Sequence, residues 1–307
     1  MQERNQIRLP FRVYSFSHSC ISAFLHFCVS RVSLPLACTV RECAEPLHRR
    51  GQAYICTRGH SYDIARSGYV NLLQPQDRRS LSAGDSREAV TARAQLIAQG
   101  IGRAVIDAVV ARSLSLPFEV SPPVAVELGS GSGETLGMLA SARTITGVGI
   151  DLSTAAAAYA SRHFPAVSWV VANADRRLPL LDGSVDLILS VHARRHPEEC
   201  RRILRRRGLL LIAIPAADDL IELREAVQGN ALERDRVASL VAEHDRHFSI
   251  VERATVRQRL RLDRPALVKL LRGTYRGERL SESPRVQTLD QLLVTLASDI
   301  VLFEPRQ

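Results

Sequence analysis

Between residues 124 and 214, short apolar runs alternate with stretches whose apolar positions recur every three or four residues. The runs at 124–128, 146–150, 168–172, 185–191 and 209–214 predict strands, and the stretches at 133–142, 154–163 and 198–206 predict helices. That alternation points to an α/β fold, a parallel sheet with helices on both faces. The nearly unbroken apolar runs at 185–191 and 209–214 suit strands buried on both sides. Upstream, a polar connector at 74–86 contains Pro75 and Gly84 and reads as loop. Ser86 then stands where a helix N-cap belongs, ahead of helical stretches at 87–100 and 102–115. Pro117, Pro122 and Pro123 punctuate the approach to the first strand of the sheet. Downstream, 218–246 reads as charged and helical, 250–262 alternates like a strand, and 294–303 supplies a last strand. No internal repeat is visible.

Composition adds a sizeable core and a positive charge. Of 307 residues, 46% are hydrophobic, which argues against wholesale disorder, and the net charge of +9 favours an anionic partner such as nucleic acid. A single lysine, Lys269, stands among arginines, so coding bias explains part of that charge. The cysteines are 20, 28, 38, 43, 56 and 200. In a chain of this length with a nucleotide-type loop, their clustering reads as metal ligation in a reducing compartment rather than as disulfides. Residues 13–30 lack charge but are broken by serines, His18 and His26, too polar for a membrane span and poor for a signal peptide. Residues 1–34 therefore read as an appendage or a misassigned start, and a cytoplasmic protein with no membrane association is expected.

Two constellations carry chemistry. The first is Val126-Glu127-Leu128-Gly129-Ser130-Gly131-Ser132-Gly133, which follows a predicted strand and opens a predicted helix. Glycine allows a tight turn against which a ligand lies on bare backbone. Asp151 ends the next strand 22 residues after Gly129, close to the ~20 at which an acidic residue meets ribose hydroxyls. A dinucleotide loop would use G-x-G-x-x-G; the E-x-G-x-G-x-G pattern here resembles the first motif of class I S-adenosylmethionine (SAM)-dependent methyltransferases, which favours SAM over NAD or a purely structural turn. Glu127, Gly129, Ser130, Gly131, Gly133, Asp151 and Leu152 are the candidate cofactor residues, with Asn173 and Ala174 after the third strand toward the adenine. Asp186 reads as a strand-edge carboxylate.

The second is Cys38-x4-Cys43-x12-Cys56-x3-His60. Four soft or borderline ligands in two close pairs suit a closed tetrahedral Zn2+ site, which would fold a segment too short to build its own core. Buried unligated cysteines are the alternative. Cys20, Cys28 and Cys200 receive no role.

In this order, the two sites resemble the bacterial 23S rRNA guanine-N1 methyltransferases of the RlmA and tylosin-resistance type. The resemblance rests on Tyr54-Ile-Cys-Thr-Arg-Gly-His-Ser-Tyr-Asp-Ile-Ala-Arg-Ser-Gly-Tyr-Val-Asn-Leu-Leu73, on Gly84-Asp-Ser-Arg-Glu88 with Ala92-Arg93, and on the glycine loop. It implies a Rossmann-like class I methyltransferase fold at 123–307, helices and a linker at 75–122, and a small N-terminal zinc-binding module at 35–74 that grips RNA. It also implies a 23S rRNA hairpin as substrate, a possible homodimer, and a role in ribosome maturation or macrolide-type resistance. Departures from the family pattern are the x4 first ligand pair, His192-Ala193-Arg194 in place of Tyr-Ala-Pro, Arg205-Arg206-Arg207-Gly208 in place of Lys-Pro-Gly-Gly, and Gly273-Thr274-Tyr275 in place of Met-Thr-Pro.

His192, at the carboxyl end of the fourth predicted strand of the sheet, is the candidate catalytic contact or base, with Asp175 behind it. A packing histidine is the alternative. Arg41, Arg49, Arg50, Arg58, Arg66, Arg78 and Arg79 surround the ligand cluster and read as phosphate contacts. Arg201, Arg202 and Arg205–Arg207 read as a solvated helix face. Tyr69 either stacks on a splayed base or packs internally. Two other functions compete: a small-molecule methyltransferase, and a non-catalytic SAM- or RNA-binding homologue.

Overall fold

The computed structural model describes residues 34–77, 84–229, 233, 235–273 and 284–306. Cys20, Cys28, Arg78, Arg79, Thr274 and Tyr275, and the expected appendage up to residue 33, lie outside the described residues.

A small antiparallel sheet comes first, from β1 (Leu47–Arg50), β2 (Ala53–Cys56) and β3 (Ser61–Asp63) in that order. The two-residue turn between β1 and β2 holds Gly51 at φ 60°, a conformation that favours glycine. Then follow β4 (Val70–Asn71), α1 (Arg87–Ala98), α2 (Arg103–Leu114), β5 (Val124–Leu128), α3 (Glu134–Ala142), β6 (Thr146–Asp151), α4 (Thr154–His163), β7 (Ser168–Val171) and β8 (Val185–Val191). The chain ends through α5 (Pro197–Ile203), β9 (Leu204–Pro215), α6 (Ile221–Gln228), α7 (Val237–His244), β10 (Phe248–Asp263), α8 (Arg264–Arg272), α9 (Pro284–Gln287) and β11 (Gln291–Pro305).

Eight strands form the main sheet in the order β10-β11-β9-β8-β5-β6-β7-β4. Pairing is parallel from β9 to β4, while β11 runs antiparallel to both β9 and β10. The strand order reverses between β5 and β8, so the carboxyl ends of these two strands flank a crevice, the usual ligand site of an open α/β sheet. Side chains explain the continuous apolar runs. Along β9, Leu210, Ile212 and Ile214 enter one core cluster while Leu211 and Ala213 enter the other. Along β8, Ile188 faces the first and Leu187 and Leu189 the second. Both faces are buried, each full side chain contributing about 1.5–3 kcal/mol. Ser86 caps α1 as expected, its Oγ accepting the Ala89 amide at 3.1 Å. The small sheet is not separate from this core: Cys38, Cys43, Leu47 and Tyr62 share a cluster with Val126 and Leu128, and β4 pairs with β7 at the edge of the main sheet.

The stretch read as helical at 218–246 holds two separate helices, α6 and α7, and one further boundary differs from expectation. The helix read at 198–206 stops at Ile203, and the strand begins at Leu204 instead of 209. Leu204 pairs with Val185, and Arg205 Nη1 reaches both oxygens of buried Asp186 at 2.7 Å. A register shift follows, with Gly208 so close to β8 that a side chain there would lie 2.9 Å from the Val185 carbonyl oxygen. Arg202 is likewise no solvated side chain. It binds Glu199 and Asp182 and donates to the carbonyls of Leu178 and Leu180, clamping the turn before β8. These two arginines are structural.

Candidate active site and metal centre

Cys56 ends β2, and a turn with Gly59 at φ 82° brings His60 back to it. The Gly59 amide donates to the Cys56 carbonyl and the His60 amide to the Cys56 Sγ at 3.3 Å. Cys38 and Cys43 approach from the preceding loop. Its longer x4 spacing is closed by a Cys43-amide-to-Val40-carbonyl bond and by left-handed backbone at Glu42 and Ala44. Ligand atoms of all four residues lie within 4.8 Å of one another. Cys38 Sγ and Cys56 Sγ each stand 3.4 Å from His60 Nδ1, and Cys43 Sγ stands 3.8 Å from Cys56 Sγ. Bonds of about 2.3 Å to sulfur and about 2.0–2.1 Å to nitrogen give tetrahedron edges of about 3.5–3.8 Å. The donor set and its size therefore fit zinc. Burial pushes the Cys38 thiol up to about 11, an environment that a cation would reverse. At Cys56 burial also raises the thiol, but the His60 and Arg58 amides and neighbouring thiols outweigh it and lower the net value.

Arg41, Arg49, Arg50, Arg58 and Arg66 are all exposed around this centre. Among the described residues none of the five forms a salt bridge, whereas Arg93, Arg103, Arg112, Arg202 and Arg257 elsewhere do. Arg49, Arg66, Tyr54 and Trp169 line a cleft of about 580 Å³ beside β7. Tyr69 packs, partly buried, against the second core cluster.

The crevice at the strand-order reversal is a cavity of about 460 Å³. Glu127, Gly129, Ser130, Gly131 and His192, five of the residues picked out by sequence, line it. Gly129, at φ 67°, lies so close to Ala193 that an added methyl would overlap the Ala193 Cβ. Gly133 instead faces Trp169 and Ala160 and serves helix–sheet packing. Asp151 Oδ2 accepts the Gly131 amide and Oδ1 the Ser153 amide, both at 2.8 Å, which ties the glycine loop to the start of α4 and leaves lone pairs on each oxygen. Burial raises the Asp151 pKa despite these bonds. Asp151, Leu152, Asn173 and Ala174 lie outside the cavity wall, where the Asn173 Oδ1 accepts the Asp175 amide.

Glu127 is buried, with its Oε2 accepting the Leu136 amide at 3.2 Å, and burial pushes its carboxyl up to about 8. His192 follows β8 at φ 52°, and its Nε2 and the Ser298 Oγ hydrogen-bond at 2.9 Å. Its ring opens on the cavity, yet the surrounding protein mass, and then the charges of Arg93 and Arg236, push its pKa down to about 4. The imidazole is therefore neutral at physiological pH. Asp175 is paired with Arg194 at 3.3 Å, away from the cavity. Asp85, Arg93, Asp219 and Ser298 also line the wall and were not singled out from sequence as site residues. Arg93 Nη2 binds Asp85 at 2.6 Å and the Gly273 carbonyl at 2.8 Å, and its guanidinium rests beside Gly131. Gly273 is the described part of the departure at 273–275.

An open sheet of this order with a glycine-loop crevice and residues fit to hold SAM defines a class I methyltransferase, here carrying a Cys3His zinc centre. A methyltransferase-domain profile matches residues 126–212, and the N-terminal zinc-ribbon profile of RlmA matches residues 37–81. The 23S rRNA (guanine(748)-N(1))-methyltransferase of Streptomyces fradiae is 36% identical over 75% of this chain and 81% of its own length. A Micromonospora griseorubida protein provisionally named a 23S rRNA (guanine-N(1)-)-methyltransferase is 34% identical over 77% of this chain and 84% of its own. The chain belongs to this RlmA-type family of 23S rRNA (guanine-N1)-methyltransferases. Among solved structures, a Haloferax volcanii methyltransferase in complex with the activator Trm112 matches with a TM-score of 0.50 and 22% identity over 74% of this chain and 100% of that one, a likeness of fold. No single helix among the described residues is long and apolar enough to cross a membrane.

Proposed function

We propose that this protein transfers a methyl group from SAM to N1 of a guanine in a 23S rRNA hairpin in the cytoplasm. The observation that carries the reading is the joining of a zinc-sized Cys3His centre, ringed by exposed arginines, to a sheet whose glycine loop opens on a cavity. A small-molecule enzyme has no use for that charged module. SAM, when bound, supplies an electrophilic methyl. Gly129, Ser130 and Gly131 would receive it on bare backbone, and Asp151 would take its ribose hydroxyls. Leu152, Asn173 and Ala174 would face its adenine, and Arg93 would oppose its carboxylate. Gly133 would act through packing.

The protein's own contribution is alignment and exclusion of water. Exposed arginines on the zinc module would hold phosphates while the target guanine leaves its stack for the cavity. The neutral His192, braced by Ser298, would contact its edge as a hydrogen-bond partner. A homodimer would cover Ile250 and Val251, 46% and 48% exposed on β10, the edge strand of the main sheet.

The test is transfer of labelled methyl from SAM to a 23S rRNA transcript, mapped by reverse-transcription stops, because a methyl at N1 blocks pairing. Guanine 748, named for the Streptomyces fradiae relative, is the first position to inspect. Tight SAM binding with no incorporation would favour the metabolite reading. Salt-sensitive RNA binding without turnover would favour a non-catalytic homologue.

A further inference from the structure

Four carboxylates line the cavity, and three are committed at its glycine-loop end. Asp85 is paired with Arg93, Glu127 accepts both the Leu136 amide and the Thr135 hydroxyl, and Glu134 accepts the Ser132 hydroxyl at 2.6 Å. The fourth, Asp219, stands in the segment that follows β9. Its neighbours in sequence are bound by arginines: Asp218 by Arg257 at 2.8 Å and Glu222 by Arg259 at 4.0 Å. Asp219 itself forms no salt bridge among the described residues. Its Oδ1 accepts the Ala297 amide at 2.9 Å. The next residue of β11, Ser298, holds His192. Consecutive positions of one strand, about 3.8 Å apart along the chain, thus anchor a carboxylate and an imidazole in the same cavity.

A guanine presents two N–H donors, N1 and N2, beside one acceptor, O6. Nucleophilic attack by N1 requires loss of its proton. Resting on the function proposed above, we infer that Asp219 receives the N1 edge of the flipped guanine and takes the N1 proton during transfer. The N1–methyl bond forms as the methyl–sulfur bond breaks. The bonding pair stays on sulfur as S-adenosylhomocysteine, and the proton passes from N1 to the Asp219 carboxylate and then to water. His192 is the poorer acceptor, since its surroundings disfavour protonation. Around Asp219, burial first and Asp218 last push its carboxyl up to about 6 against the Ala297 amide, Arg236 and Arg224, so it is ionised at neutral pH yet more basic than a surface aspartate.

Asp219→Asn keeps an oxygen for the Ala297 amide, and Asp219→Glu keeps the charge. With 23S rRNA transcript and SAM, Asp219→Asn is expected to lower kcat by about 100-fold or more, within the range for general-base removal. Wild-type kcat/KM is expected to rise with pH and level off above an apparent pKa near 6, a limb that Asp219→Asn lacks and Asp219→Glu restores. With S-adenosylhomocysteine bound, the wild type should bind a hairpin with guanine at the modified position about tenfold more tightly than one with adenine there. Asp219→Asn should lose that preference while keeping wild-type affinity for S-adenosylhomocysteine. An Asp219→Asn protein of normal Tm with wild-type kcat and pH profile, made from an active wild type, overturns this inference alone. A wild type that methylates no position of 23S rRNA overturns the parent reading and this one with it.

Discussion

Replacing Gly129 with alanine separates backbone strain from crowding of the ligand. At φ 67° a non-glycine residue costs about 1–2 kcal/mol. The added methyl would also overlap Ala193 Cβ and lie 3.5 Å from Ala193 Cα, so the segment 192–194 must move. That segment is braced: the Ala193 carbonyl accepts Arg195 Nη1 at 2.9 Å, and His192 is tied to Ser298. Overpacking against a braced neighbour costs about 1–3 kcal/mol, and relieving it shifts the cavity wall. At 1.4 kcal/mol per tenfold, the crowding alone weakens SAM binding by about 5- to 150-fold. Gly183→Ala is the control, because Gly183 has φ 55° with nothing within 4 Å of the added carbon. It should lower stability by the strain alone and leave SAM affinity at the wild-type value. Isothermal titration of SAM and of S-adenosylhomocysteine, with a Tm for each variant, reads both effects. If Gly129→Ala binds SAM within about twofold of wild type while Gly183→Ala behaves as stated, the close approach of 193 to 129 has no bearing on the cofactor.

Three further outcomes are expected. Metal analysis of purified protein should find one zinc per chain, and Cys43→Ser should lose it. Because Cys43 shares a core cluster with Val126, that variant should melt at lower temperature as well as bind RNA less tightly. Arg93→Ala removes a cation that touches the glycine loop, Asp85 and Gly273, so SAM affinity in calorimetry should fall by about tenfold, as for loss of one charge-assisted bond; an unchanged Kd would refute a carboxylate-binding role. Glu127 gives a pH signature. Its folded carboxyl, at about 8, lies above its ordinary 4.5, so between these values the folded state holds the extra proton. Stability falls there as pH rises, by up to about 1.4 kcal/mol per pH unit. Denaturant titrations of Glu127→Gln between pH 5 and 9 should show that slope reduced.

The central strands were legible because each is apolar on both faces, so their runs stand out without any knowledge of partners. The error at 198–206 has the same root. Arg205, Arg206 and Arg207 carry the polarity of an exposed helix end, and nothing nearby in sequence shows that Arg205 has a buried carboxylate waiting 19 residues upstream at Asp186. Once that ion pair forms, continuing as strand satisfies the backbone along β8, and the chain leaves the helix early. The three short strands of the zinc module went unread because its order derives from ligands and turns such as Gly51 and Gly59, not from periodicity.

Site residues divide on the same physical line. The glycine loop and the Cys-His pairs are local: each ligand-facing atom lies within a few residues of its companions, so spacing alone encodes geometry. The rest of the cavity wall is assembled from α1 and the turn before it, the segment after β9, and β11, which meet only in the folded chain. Asp219 and Ser298 are unremarkable in their own stretches of sequence, and Asp85 and Arg93, though part of the stretches that carry the family resemblance, show no role there. Asp218 and Asp219 are adjacent acids, yet one is neutralised by Arg257 on the outside while the other lines the cavity. Which of two neighbouring carboxylates faces the cavity is fixed by the Ala297 amide on β11, 78 residues away. Half of this cavity in an open α/β sheet therefore follows from one glycine-rich turn, and the other half depends on the elements beyond the reversal point.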